Sequence, residues 1–172
     1  MCIRDRLFDD VRIPAENRLT AVGEGLKAAF SILTGGRIAI ASQAVGLAQA
    51  ALDDAVAYAN EREQFGEPII EHQAIAHKLA DMQTNVQAAR LLTRDAARKN
   101  DDAPDPMAAS MAKYFASETA VEVANEAVQV HGGYGYTKDF DVERYYRDAK
   151  ITTIYEGTSE VQQTIIARHL TE

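Results

Sequence analysis

This sequence predicts an all-α fold: an antiparallel bundle of three long and two short helices, preceded by a short extended arm. Three observations predict it. About thirty of the 172 residues are alanine, the strongest helix former. Ten glycines and four prolines leave few residues that interrupt helices. Apolar positions recur three and four residues apart through three long stretches, the period of a helix rather than a strand.

The elements follow in order. Leu7–Ile13 alternates loosely and runs into Pro14, a short strand or extended arm with nothing visible to pair with. Residues 1–6 fit no later pattern and read as a mis-joined start. Beyond Gly23 and Gly25 one stripe comprises Leu33, Arg37, Ile40, Ala44, Leu47, Ala51, Asp54 and Tyr58. The faces beside it are small or apolar from Ile38 to Leu52, so this helix is expected to be central and buried. Its pattern ends near Gly66 and Pro68. A second helix, about Ile70–Asn100, carries a seam of Ile75, Leu79, Met82, Val86, Ala89, Thr93 and Ala96. A third, about Asp105–Val130, turns Met111, Phe115, Val121, Ala124 and Val128 inward and stops at Gly132-Gly133, in the manner of a left-handed C-cap. A short helix near Asp141–Lys150 pairs Glu143 with Arg147. The last, about Ser159–Leu170, opens on a capping box of Ser159 and Gln162.

Composition narrows the function. The length suits one domain with a proper core. With 18 Lys+Arg against 26 Asp+Glu, the net charge of −8 argues against nucleic acid or an anionic membrane as a partner of the whole surface. A DNA-associated or anion-binding relative would need a local basic patch. The longest uncharged run, Ile38–Leu52, is too short to span a bilayer. Cys2 is the single cysteine, which excludes an internal disulfide framework.

Three features could carry chemistry. Arg37 lies on the stripe of the most apolar helix, behind Gly35 and Gly36. A buried guanidinium is costly unless an anion meets it. An internal salt bridge and an anion or cofactor site both satisfy that. In Gln129-Val-His-Gly-Gly-Tyr-Gly-Tyr-Thr137 the glycines let a ligand approach the backbone. A helix precedes them rather than a strand, so this is no dinucleotide fingerprint. In Ile151–Glu160, Glu156 occupies a tight turn before a helix. It either complements the helix dipole or, shielded by a ligand, acts as a general base. No metal is expected: the residues three before His72, His77, His131 and His169 are Ile69, Ala74, Val128 and Ile166, not the glutamates of a di-iron bundle.

Four segments together resemble the C-terminal domain of the acyl-CoA dehydrogenase family. These are Gly35-Gly-Arg-Ile38; Arg62-Glu-Gln-Phe-Gly66 with Glu71-His-Gln73; Gln129-x-x-Gly-Gly-x-Gly-Tyr136 continuing through Asp139, Arg144 and Asp148; and Ile154-Tyr-Glu-Gly-Thr-Ser-Glu160. They cover nearly all of the chain after Phe8, and the wording is most similar to short-chain and short-branched-chain members. The resemblance implies α,β-dehydrogenation of an acyl-CoA thioester to the trans-2-enoyl-CoA. Glu156 would remove the α-proton, and FAD would accept the β-hydride. Hydrogen bonds to the thioester carbonyl, one from the Glu156 N–H, would stabilise the developing enolate.

It implies cofactor contacts from Arg62, Gln64, Phe65, Gln73, Gln129, Val130, Gly132 and Gly133 to the FAD of a neighbouring subunit, and from Thr158 and Glu160 to a flavin from the other side. It places substrate along Thr34, Gly35, Gly36, Arg37 and Gly157. Some members carry the base immediately before the arginine. That position is Gly36 here, which leaves Glu156 as the candidate. The implied partners are acyl-CoA, an electron-transfer flavoprotein and further copies in a homotetramer. The implied compartment is the cytoplasm in a bacterium or the mitochondrial matrix in a eukaryote. Residues 1–22 read as the remnant of a middle β-domain and its exit loop, and residues 23–172 as the helical domain. The chain is thus expected to be a fragment that binds FAD weakly and turns over little alone. Two alternatives share these residues: an acyl-CoA oxidase using the same base, and a non-catalytic helical oligomerisation domain.

Overall fold

The computed structural model describes residues 5–171; Met1–Arg4 and Glu172 lie outside, and with them most of the segment read as a mis-joined start. Five helices make the molecule: α1 (Gly25–Glu61), α2 (Gln73–Asp102), α3 (Pro106–His131), α4 (Val142–Thr152) and α5 (Ser159–His169). The predicted bundle of three long and two short helices is what forms. Residues 5–24 are irregular and largely exposed, with a 3-10 turn at Ala15–Asn17 and a further turn closed by Glu24 N donating to Ala21 O. Among the described residues this arm contains no strand.

The centre of the bundle is α3, not α1 as the uniform apolarity of α1 predicts. It packs against α1, α2, α4 and α5. The core face of α1 carries Thr34, Arg37, Ile38, Ala41, Ala44, Ala48, Ala51, Leu52, Ala55 and Ala59. That face is turned slightly from the predicted stripe, so Leu33, Ile40 and Leu47 are only partly covered. Likewise α3 buries Ala109, Ala112, Ala116, Ala120, Val123, Ala124 and Ala127, while Met111 is exposed and Phe115, Val121 and Val128 are half-covered. The physical reason is common to both. Small side chains let two backbones approach closely, so the alanine faces meet and the larger apolar groups flank the contact. By length and composition α1 could cross a membrane, but here its alanine face is packed within the bundle. In α2 the predicted seam is the buried one, from Leu79 to Ala96. Leu52, Val86, Val123 and Val142 are almost completely covered, each contributing about 1.5–3 kcal/mol.

The connections set the site. Arg62 caps α1, ending it short of the predicted Gly66. A two-stranded hairpin follows, Glu63–Gln64 paired antiparallel with Glu67–Pro68. Its two-residue tip puts Phe65 and Gly66 at φ +59° and +92°, as a tight hairpin turn of matching twist demands. His72 ties the tip to the start of α2, with Nε2 3.1 Å from the Gln64 carbonyl and Nδ1 3.2 Å from Glu67 Oε1. At the other end of α3, Gly132 alone takes positive φ, +60°, while Gly133 continues into a 3-10 turn. Gly135 is needed for another reason: a Cβ there would lie 2.7 Å from the Val128 carbonyl oxygen and 2.8 Å from His131 Cβ. The capping box is also corrected. Thr158 is the N-cap of α5 and accepts from Val161 N, leaving Ser159 as the first helical residue. The Glu143–Arg147 pair forms as predicted, at 3.0 Å.

Candidate active site

The turn Tyr155–Thr158 lies where α4 ends and α5 begins, against the first half of α1. Glu156 takes φ +54° and Gly157 +91°. A glutamate held in the left-handed region costs of order 1 kcal/mol. The surroundings impose it. Gln162 Nε2 donates to the Glu156 carbonyl at 3.1 Å and the Gly157 carbonyl at 2.9 Å. Lys113 Nζ donates to the same Gly157 carbonyl at 2.8 Å. Ser159 N donates to Thr153 O, and the Ser159 hydroxyl to Glu118 on α3. Beside the turn, the Tyr155 hydroxyl donates to Gln43 Oε1 on α1, and its own burial holds that phenol above the ordinary tyrosine range.

The Glu156 side chain is aimed at α1. Its Oε2 would lie 2.6 Å from a Cβ on Gly36, so any side chain there would displace the carboxylate. Oε2 is buried without a hydrogen-bond partner, and so is Arg37 Nε one residue along. Burial lowers the Arg37 pKa, and the Glu156 charge works against that. Of the two expected roles for Arg37 the internal salt bridge is not formed among the described residues. Two oppositely charged groups, each with a buried polar atom lacking a hydrogen-bond partner, thus lie within electrostatic reach of each other. Thr34 is buried beside them, while a Cβ at Gly35 would meet nothing.

A second cluster forms at the far end of α1. A cleft of about 510 Å³ is lined by Arg62, Gln64, Val130, Gly132 and Gly133, with Tyr58, His131 and Tyr134 among its walls. The His131 ring stacks on Tyr58 at 4.2 Å and its Nδ1 lies 2.8 Å from the Ala127 carbonyl. Arg62 stands 6.0 Å from the Tyr134 ring centroid and forms no ion pair among the described residues. Neither Gly132 nor Gly133 would bring a Cβ within contact of anything, so their backbone is open to an incoming group.

The structure therefore splits the predicted residues into two sets. Glu156, Gly157, Gly36, Arg37 and Thr34 converge at one end; Arg62, Gln64, Val130, Gly132 and Gly133 at the other. Thr158 caps α5, and Glu160, exposed in its first turn, is held below the ordinary carboxylate range chiefly by the Thr158 hydroxyl. Phe65, Gln73 and Gln129 are exposed and line neither cluster. The residue the sequence reading missed is Lys113, completely buried in α3. Its signal was present: it sits on the alanine stripe Ala109–Ala116–Ala120, a lysine on an otherwise small, buried face.

This fold is that of an acyl-CoA dehydrogenase C-terminal domain. Residues 23–171 match the family model described as acyl-CoA dehydrogenase, C-terminal domain, and the chain belongs to that family. It is 51% identical over 164 residues to the caffeyl-CoA reductase-Etf complex subunit CarC of Acetobacterium woodii, covering 95% of this chain and 43% of that one. It is 52% identical over 165 residues to the mitochondrial short-chain specific acyl-CoA dehydrogenase of Rattus norvegicus, covering 95% and 40%. The solved butyryl-CoA dehydrogenase of Megasphaera elsdenii superposes with a TM-score of 0.93 at 48% identity, over 96% of this chain and 44% of that one. The chain thus spans less than half the length of these relatives.

Proposed function

We propose that the chain is the C-terminal domain of a flavin-dependent acyl-CoA dehydrogenase in which Glu156 is the base that removes the α-proton of an acyl-CoA thioester. One observation carries this: the Glu156 carboxylate, in a turn bolted to α3 and α5, presents a buried and unengaged Oε2 against Gly36 and beside Arg37. A carboxylate held within reach of an α-carbon can take its proton as a general base. The Tyr155–Gln43 bond pins the neighbouring ring to α1, so the turn is held from both sides. Thr34, Gly35, Arg37 and Gly157 are assigned to the substrate, and the Glu156 N–H to its thioester carbonyl.

The residues fit FAD at both ends. When bound, FAD supplies the acceptor for the β-hydride; the protein supplies binding and orientation. In the far cleft the Arg62 guanidinium would hold a pyrophosphate, with Gln64, Val130, Gly132 and Gly133 along the rest. Near Glu156, Thr158 and Glu160 are assigned to a flavin. From Gly36 to Arg62 is about 39 Å along α1 at 1.5 Å per residue, farther than one dinucleotide cofactor reaches. The two sets therefore serve two cofactor molecules, which supports assembly with at least one further copy; a dimer of dimers is the assembly proposed. Phe65, Gln73 and Gln129, exposed on the same end, are assigned to that shared boundary.

A relative named as an Etf complex subunit supports an electron-transfer flavoprotein as partner. Bacterial and mitochondrial relatives support a cytoplasmic or matrix location. Residues 1–22 are assigned to the end of a preceding domain and residues 23–172 to the helical one. In the reverse, reductive direction named for the Acetobacterium relative, the same carboxyl group would return a proton to the α-carbon.

The test is Glu156→Gln in the full-length flavoprotein, which keeps size and hydrogen bonding but cannot take the proton. We expect flavin content unchanged and turnover lost by a factor of about 10³ or more. Turnover close to wild type would end the assignment.

A further inference from the structure

A lysine with no exposed surface, bonded to a backbone carbonyl rather than a carboxylate, is an expensive thing to keep in a helical core. Lys113 is in that situation: 0% exposed, on the alanine face of α3, with Nζ 2.8 Å from the Gly157 carbonyl oxygen. Lys113 fills the space a methionine could fill, so packing alone does not account for an ammonium there. What it touches is the turn that holds Glu156.

We propose that Lys113 is a positioning residue for the Glu156 base: its buried ammonium locks the Gly157 carbonyl inward and thereby sets the direction of the carboxylate and of the adjoining amides. This rests on the reading of Glu156 as the base. The geometry follows from the planar trans peptide, in which C=O and N–H point in opposite directions. With the Glu156 carbonyl drawn to Gln162 and the Gly157 carbonyl to Gln162 and Lys113, the N–H groups of Gly157 and Thr158 must point away from α3 and α5. Both residues of this arrangement, Glu156 and Gly157, take positive φ. Gln162 spends both of its N–H donors on these two carbonyls, and Lys113 adds a second, charged donor to the Gly157 carbonyl. The charge matters as well as the bond, because a charge-assisted hydrogen bond is about twice as strong as a neutral one.

The charged groups facing Lys113 come from each neighbouring element: Glu118 on α3, Arg37 on α1, Glu156 in the turn and Glu160 on α5. Burial pushes the ammonium down from 10.5 to about 8, with Glu118 the foremost influence in the opposite sense. The lock is therefore protonated at neutral pH and loses its charge in mild alkali.

The experiment uses the full-length flavoprotein with Lys113→Met, which keeps bulk and removes charge and donor, and Glu118→Gln, which removes the foremost charge acting on the ammonium while its amide oxygen still accepts from the Ser159 hydroxyl. Steady-state turnover is measured across pH 6 to 10 (approximately), with flavin content as the check on folding. For Lys113→Met we expect kcat to fall about tenfold to a hundredfold, the scale of a misplaced reacting group, with KM little changed. The wild type should show an alkaline fall in kcat near pH 8, absent from Lys113→Met and moved to lower pH in Glu118→Gln. Unchanged kcat and pH profile in Lys113→Met would overturn the proposal. If that variant does not fold, an alkaline limb that Glu118→Gln leaves in place overturns it equally. Loss of turnover in Glu156→Gln alongside an indifferent Lys113→Met removes the positioning role alone; survival of turnover in Glu156→Gln removes the base and this proposal with it.

Discussion

Gly36 and Glu156, 120 residues apart in the chain, are in contact in the fold: the carboxylate Oε2 occupies the space that a Cβ on residue 36 would need, 2.6 Å away. The glycine is there for its neighbour rather than for its backbone, which is ordinary helix. Gly36→Ala should therefore push the carboxylate aside. Because the turn's backbone is held by Lys113 and Gln162, the displacement falls on the side chain, which rotates away from α1. We expect kcat to fall at least tenfold, while helix propensity at residue 36 improves. A crystal structure of the variant showing Glu156 undisplaced would contradict this reading.

Gly135 is a sterically stricter case with no chemistry attached. A Cβ would meet the Val128 carbonyl oxygen at 2.7 Å, and that atom is helix backbone. Gly135→Ala should cost about 1–3 kcal/mol by overpacking, read as a lowered urea midpoint at unchanged m-value. The same change at Gly133, where a Cβ meets nothing, should leave stability nearly unchanged and weaken flavin retention instead.

Arg62 stands in the cleft without a carboxylate partner, so its removal leaves no buried charge behind. Arg62→Lys keeps the charge but loses the planar fork. We expect both Arg62→Ala and Arg62→Lys to release flavin more readily on dilution, the alanine more so, with little change in the melting temperature of the flavin-free protein. Equal flavin retention across all three proteins would remove the pyrophosphate assignment.

Stability should carry the mark of Lys113. The folded ammonium titrates at about 8 and the unfolded one at its ordinary 10.5, so between these values the unfolded state binds more protons. Stability contributed by this group therefore rises with pH across that window; below it, the burial penalty is present in full. Above pH 10 the raised Tyr155 phenol acts in the opposite sense, since the unfolded tyrosine ionises first. Between about pH 8 and 10 the wild type should gain stability relative to Lys113→Met in urea titrations. Parallel curves for the two proteins would show that the ammonium is not buried.

Much of the arrangement is local enough to read from sequence. The α2 seam is one such part, because its large apolar residues at Leu79, Met82 and Val86 have only one way to be buried. The helix ends near Pro106 and Gly132 follow from the geometry of those residues. The motif containing Glu156 is identifiable by resemblance, and the Arg62 and Gly132–Gly133 stretches likewise. The inward faces of α1 and α3 are different. There alanines form the contact, and a hydrophobic pattern weighted by size picks the flanking Leu33, Ile40, Met111 and Phe115 instead. Lys113 escapes the same reading, since an isolated lysine between alanines scores as solvent-facing.

From its sequence alone this protein was determined to be a bundle of three long and two short helices of the acyl-CoA dehydrogenase family, for helix period, terminators and short motifs are properties of neighbouring residues. Only the tertiary structure decided that α3 rather than α1 is central, that Glu156 lodges against Gly36, that Lys113 and Gln162 hold its turn, and that the Arg62 cluster stands at the opposite end of α1. Those facts depend on which small faces close on one another and on distances between residues far apart in the chain, and no local pattern encodes a distance.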